Sequence, residues 1–118
     1  GLRDLLYVGE ATGRGRLRAL PTEAANVTSA WHLYPIEVEN RSQVAEALRS
    51  RKIATGIHYP VAPASQGAYS NTASAVKIGS TRALGDDLLS LPMGPHLRKS
   101  QAKYVVQELR KIIAYSQR

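Results

Sequence analysis

The sequence has 118 residues, of which 43% are hydrophobic, a length and composition that fit one globular domain and exclude a disordered chain. It contains no cysteine, which excludes disulfides, zinc–thiolate sites and thiol nucleophiles. The net charge is +7, so an anionic partner has to be considered. The basic residues are scattered, however, and one Trp without any Phe makes a poor platform for stacking bases. The composition argues against nucleic-acid binding and leaves a small anionic substrate open.

The sequence offers no membrane segment. No apolar run approaches the roughly 20 residues that a membrane-spanning helix needs. The apolar stretch at residues 5–8 is too short for a signal peptide. Together with the lack of cysteine, this indicates a cytoplasmic protein that does not contact a membrane.

The first elements are short. Residues 2–8 are apolar at helical spacing, and the glycines that follow mark a flexible, turn-rich link. A short strand is predicted over residues 17–20, ending at Pro21. Residues 31–38 are aromatic and β-branched, which predicts a strand. Within it Pro35 favours an edge or a bulge, because proline donates no ladder hydrogen bond.

A strand–helix–strand unit is predicted in the middle of the chain. Asn40 can cap a helix, with Gln43 at the reciprocal position of a capping box, and apolar residues follow at helical spacing. Residues 53–59 predict the next strand. Residues 61–74 have the composition of a loop, and a short helix is expected from Ser80 or Thr81 to Leu89.

The last helix has the clearest pattern. Six apolar residues recur three and four positions apart, which predicts one buried stripe on a helix that is otherwise polar. The stripe consists of Ala102, Val105, Val106, Leu109, Ile112 and Ile113.

His58 is the best single candidate for a functional residue. It lies at the end of a predicted strand, where a loop departs, and a histidine there can bond an anionic or hydroxyl-bearing substrate or pass a proton near neutral pH. A hydrogen-bonded structural histidine explains the same position, so both interpretations stay open. Tyr59 points to the opposite face. His32 and Tyr34 share one strand face and could line a pocket, although a half-buried aromatic strand is the commoner explanation.

No complete catalytic set can be assembled. The three histidines come without cysteine and without a helical His-x-x-x-His pair, so no metal site is predicted. Asp86 and Asp87 are adjacent and diverge on a helix, which is typical of surface residues. The residues therefore indicate half of a site rather than a whole one.

Three motifs, taken in order, resemble the C-terminal small domain of the DegT/StrS sugar aminotransferases. They are Leu33-Tyr34-Pro35-Ile36 followed by Arg41, Gly56-Ile57-His58-Tyr59-Pro60, and Leu89-Ser90-Leu91-Pro92-Met93 before the closing helix. The resemblance implies an α/β domain of two layers (α+β), with a small, mostly antiparallel sheet and helices packed on one face, like the C-terminal domain of fold-type I PLP aminotransferases. It also implies that residues 1–27 hold the end of an interdomain helix and a linker, and that residues 28–118 form the small domain.

The resemblance implies a function as well. Such enzymes use pyridoxal 5'-phosphate to move an amino group from an amino-acid donor to a nucleotide-linked keto-sugar for polysaccharide or lipopolysaccharide synthesis, and they are usually homodimers. His58 would then contact the sugar or its phosphates, Tyr59 would be a wall or second contact, and His32 and Tyr34 would complete the substrate-binding wall. The Schiff-base lysine of the family belongs to a large domain outside these residues, so no catalytic residue is assigned here and this chain alone is expected to bind no cofactor.

The sequence departs from the family pattern after Pro60, where alanine replaces a second histidine. Two alternatives therefore stay open. One is a non-aminating relative on the same fold, a dehydratase or a regulator. The other is a basic module that binds polyanions.

Overall fold

The structure, a computed structural model, describes residues 17–58, 60–61, 67 and 85–115. Three strands form one antiparallel sheet in the order β1-β2-β3, namely β1 (Leu17–Ala19), β2 (Tyr34–Val38) and β3 (Leu88–Leu91). The helices with defined bounds are α1 (Arg41–Ser50) and α2 (Lys99–Tyr115). The predicted fold class, a small antiparallel sheet with helices on one face, is confirmed.

Burial alternates along β2 and defines the two faces of the sheet. Every second residue of β2 is buried, whereas Pro35 and Glu37 are half-buried. Ile36 lies opposite Leu89 of β3, and Pro35 lies opposite Ser90. Because paired residues project to the same side of a sheet, Ser90 lies on the face turned away from the main core.

The two helices cover the buried face. In α1, Val44 and Leu48 are four residues apart and fully buried. The stripe predicted for α2 is confirmed, with five members buried and Ile113 half-buried against the core. Burying a side chain such as Leu109 contributes about 1.5–3 kcal/mol, so this stripe holds α2 against the sheet.

The start of α1 differs from the prediction. Asn40 occupies the cap position, but its side chain makes no capping hydrogen bond. Its backbone is left-handed, with a φ of 52°, whereas a capping side chain needs an extended backbone at this position. The Asn40 carbonyl instead accepts hydrogen bonds from the N–H groups of Gln43 and Val44, at 2.9 and 3.2 Å. The prediction of a side-chain cap is therefore wrong.

The end of α1 is closed by backbone hydrogen bonds. The N–H of Ile53 donates to the carbonyl of Leu48 at 3.0 Å, and the N–H of Lys52 donates to the carbonyl of Arg49 at 2.9 Å. These two bonds form a Schellman motif, in which Lys52 takes the left-handed conformation with a φ of 62°. The motif turns the chain so that Ile53 enters the core.

Two predicted strands differ in extent. The first begins at Tyr34 instead of residue 31, since Trp31 has a left-handed backbone with a φ of 49°. The second is wrong over its described part, because between residues 53 and 58 only Gly56 makes a bridge, with Ser90. The apolar pattern reflects burial of Ile53 below the end of α1, not a ladder of strand hydrogen bonds.

Pro35 lies in the middle strand of the sheet, but at a point where this strand has no neighbour on the β1 side, so the expected edge position is met locally. Its position is compatible with proline because β1 ends at Ala19, which pairs with Glu37. Pro35 lies beyond that pair and has no β1 residue opposite that would need its N–H.

The remaining predictions are met in part. β1 confirms the strand predicted at residues 17–20. This strand lies within residues 1–27, which were expected to hold the end of an interdomain helix and a linker. The division into domains stays a prediction. The helix expected to reach Leu89 ends earlier, because residues 85–87 are helical and Leu88 starts β3. Predictions for residues 1–16 and 75–84 lie outside the described residues, as does the loop predicted over residues 61–74 apart from residues 61 and 67. Among the described helices, none is both long enough and apolar enough to cross a membrane.

Candidate functional site

His58 and Ser90 meet at the edge of the sheet. The N–H of Gly56 donates to the carbonyl of Ser90 at 2.9 Å, and the N–H of Ser90 donates to the carbonyl of Gly56 at 2.8 Å. His58 follows Gly56 by two residues, which brings its side chain to the side of Ser90. Its Nδ1 lies 3.0 Å from the Ser90 Oγ, within hydrogen-bonding distance.

Gly56 makes room for the imidazole ring. A Cβ atom at residue 56 would lie 2.6 Å from Cε1 and 3.2 Å from Nδ1 of His58, both too close for an undisturbed ring. The ring therefore occupies the space that any side chain at Gly56 would take. Glycine at residue 56 allows the ring to take this position, and no special backbone conformation is involved.

The orientation of His58 suits ligand contact. Its side chain is exposed, and within the described part of the chain the structure records no partner for Nε2. One ring nitrogen thus binds the protein while the other can donate or accept a hydrogen bond to a ligand. The geometry is compatible with both interpretations left open by the sequence, because His58 is anchored and accessible.

The other three predicted site residues are placed differently. Tyr59 lies outside the described residues. The structure does not bring His32 and Tyr34 together on one strand face, because β2 begins at Tyr34 and His32 precedes it, exposed. Tyr34 is buried in the core, with its ring 5.4 Å from that of Trp31. The substrate roles of all four residues stay predictions.

A carboxylate cluster around Arg18 was not predicted from the sequence. The guanidinium lies 2.9 Å from Glu39, 2.6 Å from Asp87 and 3.9 Å from Glu37. The hydrogen bond that Arg18 donates to Glu39 is the main cause that raises the pKa of Arg18, and all three carboxylates contribute their charge. Because these residues come from three segments, the cluster ties β1 to the end of β2 and the start of β3.

A shallow cleft of about 440 Å³ lies at the start of α1. Its lining has mixed charge and includes none of the predicted site residues; it consists of Asn40, Arg41, Ser42, Gln43, Asp86 and Asp87. Arg41 donates to the carbonyls of Gly85 and Leu88, which joins α1 to β3. The guanidinium of Arg41 therefore has a structural role.

The described residues do not fit a pyridoxal phosphate site. Such a site needs an enclosed lysine for the Schiff base, and the four lysines that the structure describes, at positions 52, 99, 103 and 111, are exposed. None of them lines the cleft at α1. Within the same described ranges, no group of three His, Asp or Glu side chains could hold a metal ion.

Comparisons with known proteins agree on one family. Residues 9–110 match the DegT/DnrJ/EryC1/StrS aminotransferase family. The dTDP-3-amino-3,4,6-trideoxy-alpha-D-glucose transaminase of Streptomyces venezuelae is 34% identical over 92 residues, which are 77% of this chain and 24% of that protein. The erythromycin biosynthesis sensory transduction protein EryC1 of Saccharopolyspora erythraea is 34% identical over 94 residues, which are 77% of this chain and 25% of that protein.

The fold is also found in solved structures. The crystal structure of DesV from S. venezuelae superposes with a TM-score of 0.70 at 34% identity, covering 80% of this chain and 26% of that one. The chain thus spans about a quarter of the length of the relatives it matches.

Proposed function

We propose that this chain, which belongs to the DegT/DnrJ/EryC1/StrS aminotransferase family, is the C-terminal small domain of an enzyme that transfers an amino group to a nucleotide-linked keto-sugar. The transaminase of S. venezuelae supports this assignment, since its name gives an amino-sugar product carried on dTDP. The sugar, the nucleotide and the amino-acid donor are set by the longer protein.

The orientation of His58 is the observation that supports this proposal. Its ring is held at Nδ1 and exposed, which leaves Nε2 to contact an oxygen of the sugar or of its phosphates. Tyr59, His32 and Tyr34 are proposed as further parts of the substrate wall in the assembled enzyme, which we propose to be a cytoplasmic homodimer.

The chemistry of amino transfer belongs to pyridoxal phosphate, which supplies the electron sink for this reaction. We propose that residues outside this chain hold the cofactor, because the described lysines are exposed. The contribution of this chain is then to bind and orient the sugar substrate next to that centre.

The test is a substitution of His58 in the full-length protein. His58→Ala should lower kcat/KM for the keto-sugar about tenfold or more, because a hydrogen bond to a charged group contributes about 1.5–3 kcal/mol. Cofactor content, measured by absorbance, should stay unchanged. His96→Ala is the matched control, since His96 is an exposed histidine in a loop. Unchanged turnover in His58→Ala, or an equal loss of cofactor, would contradict a substrate role.

A non-aminating regulator is the second candidate, supported by the name of the EryC1 relative as a sensory transduction protein. It predicts that the full-length protein lacks a reducible Schiff base. Borohydride treatment followed by mass spectrometry distinguishes the two functions, because only a protein that binds the cofactor covalently gains the phosphopyridoxyl mass on a lysine.

A further inference from the structure

We propose that Ser90 is a positioning residue for His58, whose hydroxyl donates to Nδ1 and holds the ring with its Nε2 proton directed at an oxygen of the substrate. This inference rests on the proposed substrate role of His58. It assigns a task to a serine that lies in one of the three family motifs but had no predicted role.

The direction of the hydrogen bond follows from the burial of Ser90. The residue is only 7% exposed, and its N–H and carbonyl groups are both bonded to Gly56. A buried hydroxyl is almost always hydrogen-bonded. The partner recorded for its Oγ within the described residues is Nδ1 of His58, which accepts when the imidazole is neutral and protonated at Nε2.

The state of Nε2 follows from that of Nδ1. A neutral imidazole has one donor and one acceptor nitrogen, so Nδ1 acting as acceptor leaves the proton on Nε2. An N–H donor fits the acceptor oxygens of a sugar or a phosphate. Ser90 thereby selects the form of His58 that recognises an oxygen-rich, anionic ligand.

Gly56 is the second part of the arrangement. Its backbone holds Ser90 next to the histidine, and its missing side chain leaves the ring its position. An alanine at residue 56 would displace the ring while leaving the Ser90 hydroxyl intact. Gly56→Ala and Ser90→Ala therefore disturb the same contact from opposite sides.

The direct test is nuclear magnetic resonance of the full-length protein labelled with ¹⁵N-histidine. In the unsubstituted protein the His58 ring should show Nδ1 as a hydrogen-bonded acceptor and Nε2 protonated. Ser90→Ala and Gly56→Ala should each shift the Nδ1 resonance. Ser90→Thr, which keeps the hydroxyl, should leave the resonance at its position in the unsubstituted protein. A protonated Nδ1, or a resonance that Ser90→Ala leaves in place, would overturn the proposal.

Kinetics supply the second readout through a double-mutant cycle. Ser90→Ala should lower kcat/KM about three- to tenfold, the range for losing one neutral hydrogen bond, and should have no further effect in a His58→Gln background. Equal effects in both backgrounds would show that Ser90 acts through the general structure and would overturn the positioning role. Ser42→Ala, at an exposed serine of α1, is the matched control.

The substrate role of His58 and the positioning role of Ser90 can be disproved separately. If His58→Gln leaves turnover unchanged, the substrate role of His58 is wrong, while the ¹⁵N resonances still report whether Ser90 holds the ring. If Ser90→Ala does not fold, Ser90→Thr and Gly56→Ala still decide the question. Resonances that move as expected without any change in kcat/KM would overturn the functional part of the inference.

Discussion

Glu108 is a carboxylate shared by two cations where the helices meet. Its side chain is only 11% exposed and accepts hydrogen bonds from Lys111 at 2.6 Å and from Arg51 at 2.8 Å. The bond from Lys111 is the main cause that holds the pKa of Glu108 below its usual value near 4.5, and Arg51 lowers it further. The charged form therefore contributes stability above pH 4.5, which is lost as the pH falls through the lower pKa of the folded state.

The substitution Glu108→Gln tests this linkage. The unsubstituted chain should lose free energy of unfolding as the pH falls below about 4.5, and Glu108→Gln should lose less over the same interval because it has no proton to take up. Urea denaturation of the 118-residue chain at pH 7 and pH 3 measures the difference. Glu46→Gln is the control, since its pair with Arg49 is largely exposed. Equal losses in Glu108→Gln and the unsubstituted chain would contradict the prediction.

The sequence marked His58 as a candidate, although the strand expected to end there is not formed, and its role stays a prediction. Its partner could not be predicted. Ser90 lies 32 residues away, and the contact depends on the bridge that Gly56 makes with it. Periodicity reports which face a residue takes within one element and carries no information on which element becomes its neighbour.

At the scale of elements, α1 ends on a residue that is not suited to its backbone. Lys52 has the left-handed conformation that glycine adopts without cost and other residues adopt with a penalty of about 1–2 kcal/mol. No glycine marks the end of this helix in the sequence, so the motif could not be predicted there. The Schellman bonds and the burial of Ile53 hold Lys52 in this conformation.

Replacing Lys52 by glycine should therefore stabilise the chain. We expect Lys52→Gly to raise the free energy of unfolding by about 0.5–1 kcal/mol, because the relief of the left-handed conformation exceeds the entropy that glycine adds to the unfolded chain. Urea denaturation measures the change. Lys103→Gly, within α2, is the matched control and should lower stability by about 1 kcal/mol. A lower free energy of unfolding in both variants would contradict the prediction that the left-handed backbone at Lys52 costs stability.

The elements differ in how well their sequences predicted them. The α2 stripe was predictable because its length allows the helical period to repeat and one face is buried. The strand predicted over residues 53–58 is absent because Ile53 is buried where α1 ends and not by strand pairing, while Ile57 is exposed. Asn40 has a residue type that caps helices, but its backbone conformation depends on the turn after β2.

For the whole molecule, the two faces of the sheet have different surroundings. The helices of the described part cover one face, and Ser90 with His58 lies on the other. The chain spans about a quarter of the relatives it matches. A site on the second face agrees with the hypothesis that this chain holds half of a site, with the rest of the proposed enzyme supplying the cofactor.

The charge of the whole chain leads to a separate question. Its net charge is +7, but several cations in the described part bond carboxylates or carbonyls of the chain itself; these are Arg18, Arg41, Arg49, Arg51 and Lys111. A cation used in this way contributes less to a surface that could follow a phosphate backbone. Pairing with carboxylates leaves the net charge of +7 unchanged, because each pair uses one charge of either sign. It is the scattered placement of the basic residues along the chain that favours a solvated surface over a polyanion site.

This reasoning predicts weak binding to DNA and heparin. At about 150 mM salt the 118-residue chain should bind labelled DNA no more tightly than about 10⁻⁶ M, the strong end of nonspecific affinity. Fluorescence anisotropy at 50 and 200 mM salt measures the affinity and its salt dependence. The variant Arg98→Gln/Lys99→Gln/Lys103→Gln removes three exposed cations near the start of α2 and should change little. Nanomolar binding that falls about a thousandfold across this salt range, and falls again in the triple variant, would instead establish a polyanion-binding module, because each phosphate contact adds to the salt dependence.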